Sequence, residues 1–313
     1  QSDLSNLIEV PLKSYNWLFE ESIRELLDEV SPVEDFTGKL FSLEFGKYSL
    51  DEPKYDEKTA KTKNLSYKAP LRCQIKLLNK LTNKTKTGEV FLGDFPLMTE
   101  RGTFIINGVE RVVVSQIVRS FGVLFTSEDI GGRRLFGAKI IPNRGAWLEF
   151  ETNSRNVISV KVDRKRRIPI TTFLRALGKF DDKQLLGLFK DVDNNKETPF
   201  IESTLARDPA KTHEEAMVEV YKRIRPGDLV TPETAQTYIE TIFFNPKRYD
   251  LGRVGRYKIN QRLDQSVPNT AKNRVLRMED IIETIKEIIV LNNTPGSEPD
   301  DVDHLKNRRV RAV

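Results

Sequence analysis

The residues that could do chemistry fall into two groups, and the first is a run of four cations. Arg164, Lys165, Arg166 and Arg167 stand in a row before Ile168. A solvated edge is the commoner explanation of such a run. Phosphate contact is the functional explanation, because each phosphate that a cation neutralises releases condensed counterions. Both alternatives stay open at this point, and nucleic acid becomes a candidate ligand.

The second group is the acidic segment from Asp300 to His304, which has the residue types of a metal site. Alternate positions on an irregular segment do not define such a site, so we expect no metal here. His213, near a predicted helix start, is expected at the surface. The sequence contains no glycine-rich phosphate loop of the Walker kind and no convincing catalytic constellation. We therefore predict no catalytic residue in this chain.

The least ambiguous stretch runs from Gly93 to Gln116 and predicts a tight β-hairpin. Two β-branched or aromatic runs, 104–106 and 112–114, flank Asn107 and Gly108. That pair accepts the positive φ angles of a two-residue type I′ turn. Both arms are apolar at consecutive positions, which favours strands covered on both faces.

Several islands of sequence follow one another along the chain, and together they are highly specific. They are Pro96–Thr99, Gly102–Gly108, Glu110–Gln116, Ile141–Trp147, Arg225–Asp228, Arg248–Leu251 and Asp300–Arg311. In content and order they resemble the N-terminal part of the beta subunit of bacterial DNA-directed RNA polymerase. The resemblance covers nearly the whole chain.

The resemblance implies an α+β fold, in which a mainly β protrusion domain carries an inserted, mixed α+β lobe domain. The first part of the protrusion would span 1–118 and the lobe 119–303, and 304–313 would start the return into the protrusion. Gln1 is not a methionine, and Val313 ends a strand-like segment without a cap, so both ends look cut. We therefore expect a portion of a chain several times longer.

The resemblance also implies roles for particular residues. Trp147 matches a tryptophan that stacks on an unpaired base of the non-template strand, and a core tryptophan is the plainer alternative. Four residues match a pocket for a flipped guanine of that strand: Arg119, Val302, Asp303 and Arg308. A structural ion pair is the alternative for Asp303 and Arg308. The other predicted DNA contacts are Arg164, Lys165, Arg166 and Arg225.

One departure from the resembled pattern bears on the placement of Arg119. The family has Arg-Ser-Pro-Gly where this chain reads Arg119-Ser120-Phe121-Gly122, so an aromatic ring replaces a proline beside the arginine. Three further residues match the edge of the rifamycin pocket, an inhibitor site that lies mostly beyond Val313. They are Arg111, Val114 and Gln116.

By the same resemblance, the chain is part of a nucleotidyltransferase without holding its active site. Its expected task is to form part of the DNA cleft and to contact single-stranded non-template DNA during promoter opening and transcription. It would carry no cofactor, since Mg²⁺ would be bound by another subunit. Expected partners are the non-template strand, downstream duplex DNA, the beta-prime and alpha subunits, a sigma factor and, near Thr85–Thr87, a transcription-repair coupling factor. The alternative is a stand-alone DNA-binding or regulatory module that reuses both domains.

Composition sets looser bounds on the class of protein. A chain of 313 residues is long enough for two domains, and a net charge of +5 does not by itself indicate nucleic acid. The single cysteine, Cys73, rules out a disulfide framework and lies where a small buried hydrophobe is expected. No apolar stretch reaches the length of a membrane span. We expect no membrane partner and a cytoplasmic, nucleoid-associated location.

Recognisable elements must position these residues. A helix is predicted over 11–29 and half-buried strands over 39–50 and 65–81, with a charged connector between the strands. Further strands are predicted at 89–92, 147–150 and 157–162. Capping residues and apolar stripes predict helices at 171–177, from Thr212 to Ile224, from Thr231 to about Phe244, and at 278–291.

Overall fold

The structure, a computed structural model, describes residues 6–35, 38–195, 198–228 and 230–311. The chain forms two compact units. The first contains the described residues up to Val118 together with Val310 and Arg311, and the second contains Arg119–Arg309. Both strands and helices are abundant, and the strands form antiparallel sheets, so the predicted α+β class is confirmed.

The first unit is built on a four-stranded antiparallel sheet preceded by a continuous helical segment. Its helices are α1 (Glu9–Trp17), α2 (Ile23–Val30) and α3 (Glu57–Thr62), and a π-helical turn, Leu18–Ser22, joins α1 to α2. Its sheet has the order β1-β2-β3-β4, with β1 Val33–Glu34, β2 Phe41–Leu50, β3 Lys68–Asn79 and β4 Lys84–Pro96. The predicted first helix and the two long strands are confirmed.

Alternation of side chains explains how the first unit closes on itself. Leu71 and Cys73 lie on one face of β3 and are buried against Ile23 and Leu27 of α2. The predicted charged connector between β2 and β3 contains α3, which Asp56 caps by accepting a hydrogen bond from the Thr59 N–H at 3.1 Å.

The β-hairpin predicted around Asn107 and Gly108 forms with the expected turn, but its second strand differs from the prediction. Strand β5 (Phe104–Ile106) pairs with β6 (Val109–Arg111), and Asn107 and Gly108 have φ angles of 50° and 78°. A two-residue turn places Val109 opposite Ile106, and this register pairs Phe104, where β5 begins, with Arg111. The valines after Arg111 therefore have no partner in this hairpin. Val112 and Val114 are 62% and 76% exposed, so the prediction that 112–114 form a covered strand was wrong.

The second unit begins with a five-stranded antiparallel sheet. Its strands are β8 (Gly122–Ile130), β9 (Arg133–Ile141), β10 (Leu148–Thr152), β11 (Ile158–Val162) and β12 (Ile168–Pro169), in the order β12-β11-β10-β9-β8. Strand β7 (Gln116–Arg119) precedes this sheet along the chain. It forms a two-stranded sheet with β13 (Arg308–Arg311), which follows the rest of the second unit along the chain. The chain therefore passes into the second unit along one strand and leaves it along the neighbouring strand.

Seven helices accompany this sheet in the described part of the second unit. They are α4 (Ile170–Leu177), α5 (Asp182–Phe189), α6 (Phe200–Leu205), α7 (His213–Ile224), α8 (Pro232–Phe243), α9 (Gly252–Arg262) and α10 (Met278–Asn293). Short 3₁₀ turns occur at Ala271–Arg274 and Leu305–Asn307. The capping box of Thr212 with Glu215 and the N-cap of Thr231 are confirmed, as are the four predicted helices.

A large apolar core joins the sheet to the helices, and the ion pair of Arg256 with Asp280 is buried in the same unit. The guanidinium of Arg256 donates to both carboxylate oxygens of Asp280 at 2.8 Å, and neither side chain is exposed. Two more of its N–H groups donate to the carbonyls of Asn273 and Val275, which further stabilises the buried charge. No helix within the described residues is long and apolar enough to cross a membrane.

Candidate nucleic-acid interface

Trp147 is held at the edge of the second unit's sheet by the turn that follows β11. Leu148 of β10 pairs with Val162 of β11, so the next residues outward are Trp147 and Asp163. The Asp163 N–H donates to the Trp147 carbonyl at 3.0 Å, and the Trp147 N–H donates to Asp163 Oδ1 at 2.8 Å. The indole is partly exposed, so Trp147 is not a core residue.

The turn itself brings Arg164 onto Trp147. The Lys165 N–H donates to the Val162 carbonyl at 3.0 Å, and Asp163 and Arg164 have φ angles of 48° and 60°. The guanidinium carbon of Arg164 lies 5.6 Å from the centroid of the indole, within the range of a cation–π contact. Trp147, Asp163 and Arg164 together line a pocket of about 220 Å³.

The other cations of the run differ in their engagement. Lys165 donates from Nζ to the Ile224 carbonyl at 2.9 Å, and Arg167 donates from Nε to Glu151 at 2.8 Å. Arg166 is exposed and has no hydrogen bond or ion pair with any described residue. A solvated edge and a phosphate-binding edge are both compatible with this arrangement, but only one of the four cations is uncommitted in the described part of the chain.

Arg225 follows the end of α7, beside the carbonyl that Lys165 contacts. Its guanidinium lies 4.8 Å from the centroid of the Tyr238 ring, which packs edge-on against Tyr221. Its Nη1 lies 4.0 Å from Asp228. A hydrogen bond with Tyr221 raises the pKa of Arg225 further above its usual value. The structure thus brings Arg225 close to the cation run at a helix C-terminus, where positive charge is favourable.

Arg119 and Val302, far apart in sequence, line one cavity of about 420 Å³. Strands β8, β9 and β10 form its floor, and Glu149 of β10 lies in its wall. The side chain of Arg119 has no hydrogen bond or ion pair with the residues that the structure describes. Glu149 also lies 3.8 Å from Nε of Arg164, so this cavity adjoins the contacts of Trp147.

Asp303 and Arg308 form an ion pair with each other, which is the structural alternative that the sequence left open. The side chain of Asp303 is nevertheless 88% exposed, whereas that of Arg308 is 25% exposed. The carboxylate of Asp301 supports the segment by accepting hydrogen bonds from the N–H groups of Asp303 and His304, at 2.9 and 3.2 Å. Arg308 therefore orients a carboxylate that solvent can still reach.

The other acidic residue of this segment, Asp300, is committed to the fold. Its Oδ2 accepts a hydrogen bond from the Phe125 N–H at 2.8 Å, and Arg262 pairs with it at 3.2 Å. No group of three or more His, Cys, Asp or Glu side chains among the described residues could hold a metal ion. His213, expected at the surface, is partly buried, and its Nδ1 lies 2.7 Å from the Arg175 carbonyl.

The aromatic residue that departs from the family pattern has a partner of its own. The ring of Phe121 lies 4.1 Å from the guanidinium carbon of Arg309, and the N–H of Ser120 donates to the Asn307 carbonyl at 2.9 Å. Phe121 thus fixes the segment that starts at Arg119 against the segment around Asn307 and Arg309.

The residues predicted at an inhibitor pocket edge belong to the first unit and are exposed. Arg111 ends β6, Val114 follows it, and Gln116 accepts a hydrogen bond from Arg311 at 2.5 Å. Thr85–Thr87, predicted to meet a coupling factor, lie exposed on the edge strand β4.

Sequence reasoning missed two residues that organise the interface, Asp163 and Glu149. Asp163 carried a usable signal, since it ends a predicted strand and aspartate tolerates positive φ. Glu149 carried none, because an acidic residue in a strand is usually solvated and this one is only 7% exposed.

Comparisons with known proteins agree on one family. The profile of the family described as "RNA polymerase Rpb2, domain 2" matches residues 119–311. The chain is 48% identical over 340 residues to "DNA-directed RNA polymerase subunit beta" of Chloroflexus aggregans, a match that covers 99% of this chain and 28% of that protein. Proteins of the same name from two strains of Dehalococcoides mccartyi are 47% identical over 315 residues, with 99% and 25% covered. The chain spans about a quarter of the length of these curated relatives.

Proposed function

The chain belongs to the RNA polymerase Rpb2 domain 2 family, and from that premise we propose that it forms part of the DNA cleft of a DNA-directed RNA polymerase. In this role it contributes to a nucleotidyltransferase without supplying catalytic residues. Its task is to hold single-stranded non-template DNA while a promoter opens and during transcription.

One observation carries the proposal. The side chain of Arg119, unpartnered among the described residues, lines the same cavity as Val302, and the residue after Val302 presents an exposed carboxylate. A donor and an apolar residue that line one cavity, followed along the chain by an exposed acceptor, suit a flipped base better than a phosphate, because a base has both a ring face and a hydrogen-bonding edge.

The base contacts divide according to chemistry. Asp303 accepts from the N1–H and N2–H₂ donors of an unpaired guanine, a donor pair that adenine lacks. Arg308 pairs with Asp303 and orients its carboxylate. Trp147 stacks on the neighbouring base without reading its identity, a contact that is typically worth about 1–3 kcal/mol.

The cations supply the part of the affinity that does not depend on sequence. Lys165 and Arg225 meet at the end of α7, and Arg164 and Arg166 flank Lys165 along the chain, so the four give this edge of the second unit the positive charge that attracts the DNA backbone. Phosphate contacts position the strand, whereas base contacts specify it.

The proposal also implies partners outside this chain. Mg²⁺ is bound by another subunit, and the beta-prime and alpha subunits, a sigma factor and a coupling factor near Thr85–Thr87 complete the assembly. Rifamycin-type inhibitors touch Arg111, Val114 and Gln116 at the edge of their pocket. Such an assembly works on the nucleoid in the cytoplasm.

The test compares polymerase assembled with the full-length subunit, in wild-type form and as Asp303→Ala. Bubble templates differ only at the non-template base just downstream of the start site. We expect Asp303→Ala to remove a guanine preference of roughly 1–3 kcal/mol while binding to the other three bases changes much less. Asp129→Ala is the matched control, because Asp129 is also an exposed carboxylate, 3.5 Å from an arginine, on the β8–β9 hairpin.

Equal losses on all four bases would contradict the proposal. They would leave the Asp303–Arg308 pair as a structural support of the returning segment, with no part in reading the sequence of DNA.

A further inference from the structure

The turn between β11 and β12 has an unusual sequence for its geometry. Two consecutive residues with positive φ, closed by the bond from the Lys165 N–H to the Val162 carbonyl, define a type I′ turn. Such turns strongly favour Asn and Gly at the two central positions. This chain has Asp163 and Arg164 there, and both side chains contact Trp147.

Each of the two residues fixes a different part of Trp147. Asp163 holds the backbone, since its N–H and its carboxylate engage the carbonyl and the N–H of Trp147. Arg164 holds the ring, since its guanidinium lies 5.6 Å from the indole centroid. Glu149 Oε1 lies 3.8 Å from Nε of Arg164, as a loose ion pair, and 3.4 Å from Nζ of Lys139.

Arg164 is therefore committed to protein groups, as are Lys165 and Arg167. Arg166 is the one cation of the run without a partner among the described residues. A guanidinium that stacks on an indole and faces a carboxylate has part of its charge neutralised, so it releases few counterions when DNA binds. A free guanidinium has all of its charge available for a phosphate.

We infer that the cation run has two separate roles, in which Arg164 is a positioning residue for Trp147 and Arg166 is the phosphate contact. The pocket lined by Trp147, Asp163 and Arg164 then receives the unpaired base, with the indole as stacking surface and the turn as its frame. This inference rests on the proposed function.

The experiment uses the assembled polymerase and a bubble template with 2-aminopurine on the non-template strand, one position upstream of the proposed guanine site. The emission of 2-aminopurine falls when its ring stacks on an aromatic neighbour. Arg166→Ala should lower the slope of log affinity against log salt by about 0.7, the single-strand value for one contact, and leave the quench unchanged. Arg164→Ala should leave the slope unchanged and remove most of the quench.

Two further variants separate positioning from folding. Asp163→Asn retains an acceptor oxygen and tolerates positive φ, so it should keep the quench, whereas Asp163→Ala should lose most of it. The side chain of Arg164 is 73% exposed, so its removal leaves the core intact.

The outcomes distinguish the inference from the function on which it rests. If Arg164→Ala lowers the salt slope as Arg166→Ala does and keeps the quench, Arg164 is an ordinary phosphate contact and the inference is wrong. If Trp147→Ala removes the quench but Arg164→Ala does not, the stacking role of Trp147 stands and the inference alone fails. If Trp147→Ala leaves the quench unchanged, the proposed function itself is contradicted.

Discussion

Glu110, just after the hairpin turn, has three hydrogen-bond partners in the described part of the first unit. It accepts hydrogen bonds from Lys61 at 2.5 Å, from the Thr103 hydroxyl at 2.6 Å and from Arg101 at 3.2 Å. Lys61 is the largest cause of its shift, and together these donors lower the pKa of Glu110 from 4.5 to about 2. The network ties the hairpin to α3, because Lys61 belongs to that helix.

The sign of this pKa shift predicts an acid-sensitive hairpin. A carboxylate with a lowered folded-state pKa stabilises the fold above its unfolded-state pKa of 4.5, and this contribution is lost as the pH falls toward about 2. We expect wild type to be more resistant to urea than Glu110→Gln near neutral pH. The difference should shrink steadily between the two pKa values. A difference independent of pH would show that the amide replaces the carboxylate without loss.

At the scale of single residues, the sequence predicted which charged residues were candidates for binding, but not which protein groups each of them contacts. The sequence pointed to all four cations of the run equally, since each has the same charge. Their partners Glu149, Glu151 and Ile224 come from other strands and from a helix end, so only the fold separates Arg166 from the rest. The pairing of Asp303 with Arg308 was predictable because the two residues are close in sequence.

At the scale of elements, replacing either of two glycines in the second unit by alanine should change the free energy of unfolding in opposite directions. A Cβ on Gly137 of β9 would lie 2.2 Å from the Phe150 carbonyl oxygen, whereas a Cβ on Gly187 of α5 would meet nothing within 4 Å. We expect Gly137→Ala to lower the free energy of unfolding by about 1–3 kcal/mol or more, since a backbone atom cannot move aside cheaply. Gly187→Ala should raise it by up to about 1 kcal/mol through helix propensity.

Urea denaturation followed by circular dichroism measures both changes, and the two variants control for each other. Equal effects would mean that β9 can move away from β10 by the required distance.

Elements with a regular apolar period were predictable, and those without one were missed. N-capping residues or apolar stripes predict the helices α4, α7, α8 and α10. Helix α9, in contrast, carries two glycines and buries Arg256 where an apolar residue would be expected. Its period is hidden because an ion pair with Asp280 makes a cation acceptable in the core. The covered strand predicted at 112–114 was wrong because the turn, not the apolar run, sets where pairing ends.

At the scale of the whole molecule, the two tryptophans report on different units. Trp17 belongs to α1 of the first unit, and Trp147 belongs to the second. The core cluster of the first unit is small, whereas the second unit has the large core beneath its sheet. We expect the Trp17 signal, observed in Trp147→Phe, to change at lower urea concentration than the Trp147 signal, observed in Trp17→Phe.

Two buried leucines test whether the units unfold separately. Leu71→Ala should shift only the Trp17 transition, and Leu185→Ala only the Trp147 transition, because Leu71 is 2% exposed in the first core and Leu185 is fully buried in the second. Each truncation should cost about 2–5 kcal/mol. One transition that both variants shift together would mean that the two units unfold as one.

The family and the fold class were predictable because sequence islands and secondary-structure patterns are local properties. The resemblance to the polymerase beta subunit and the α+β class are both confirmed. The cavity of Arg119 and Val302 was implied by that resemblance alone, since nothing local joins two residues so distant along the chain. The roles of these residues on DNA stay predictions.

The side-by-side position of β7 and β13 has a consequence for evolution and engineering. Neighbouring strands lie about 5 Å apart, so residues 119–309 act toward the first unit as one very long hairpin loop. The entropy of closing a loop grows only with the logarithm of its length, by about 0.6 kcal/mol for each doubling. We therefore expect that the second unit can be enlarged, trimmed or exchanged for another domain whose ends meet. The free energy of unfolding of the first unit should change little in each case.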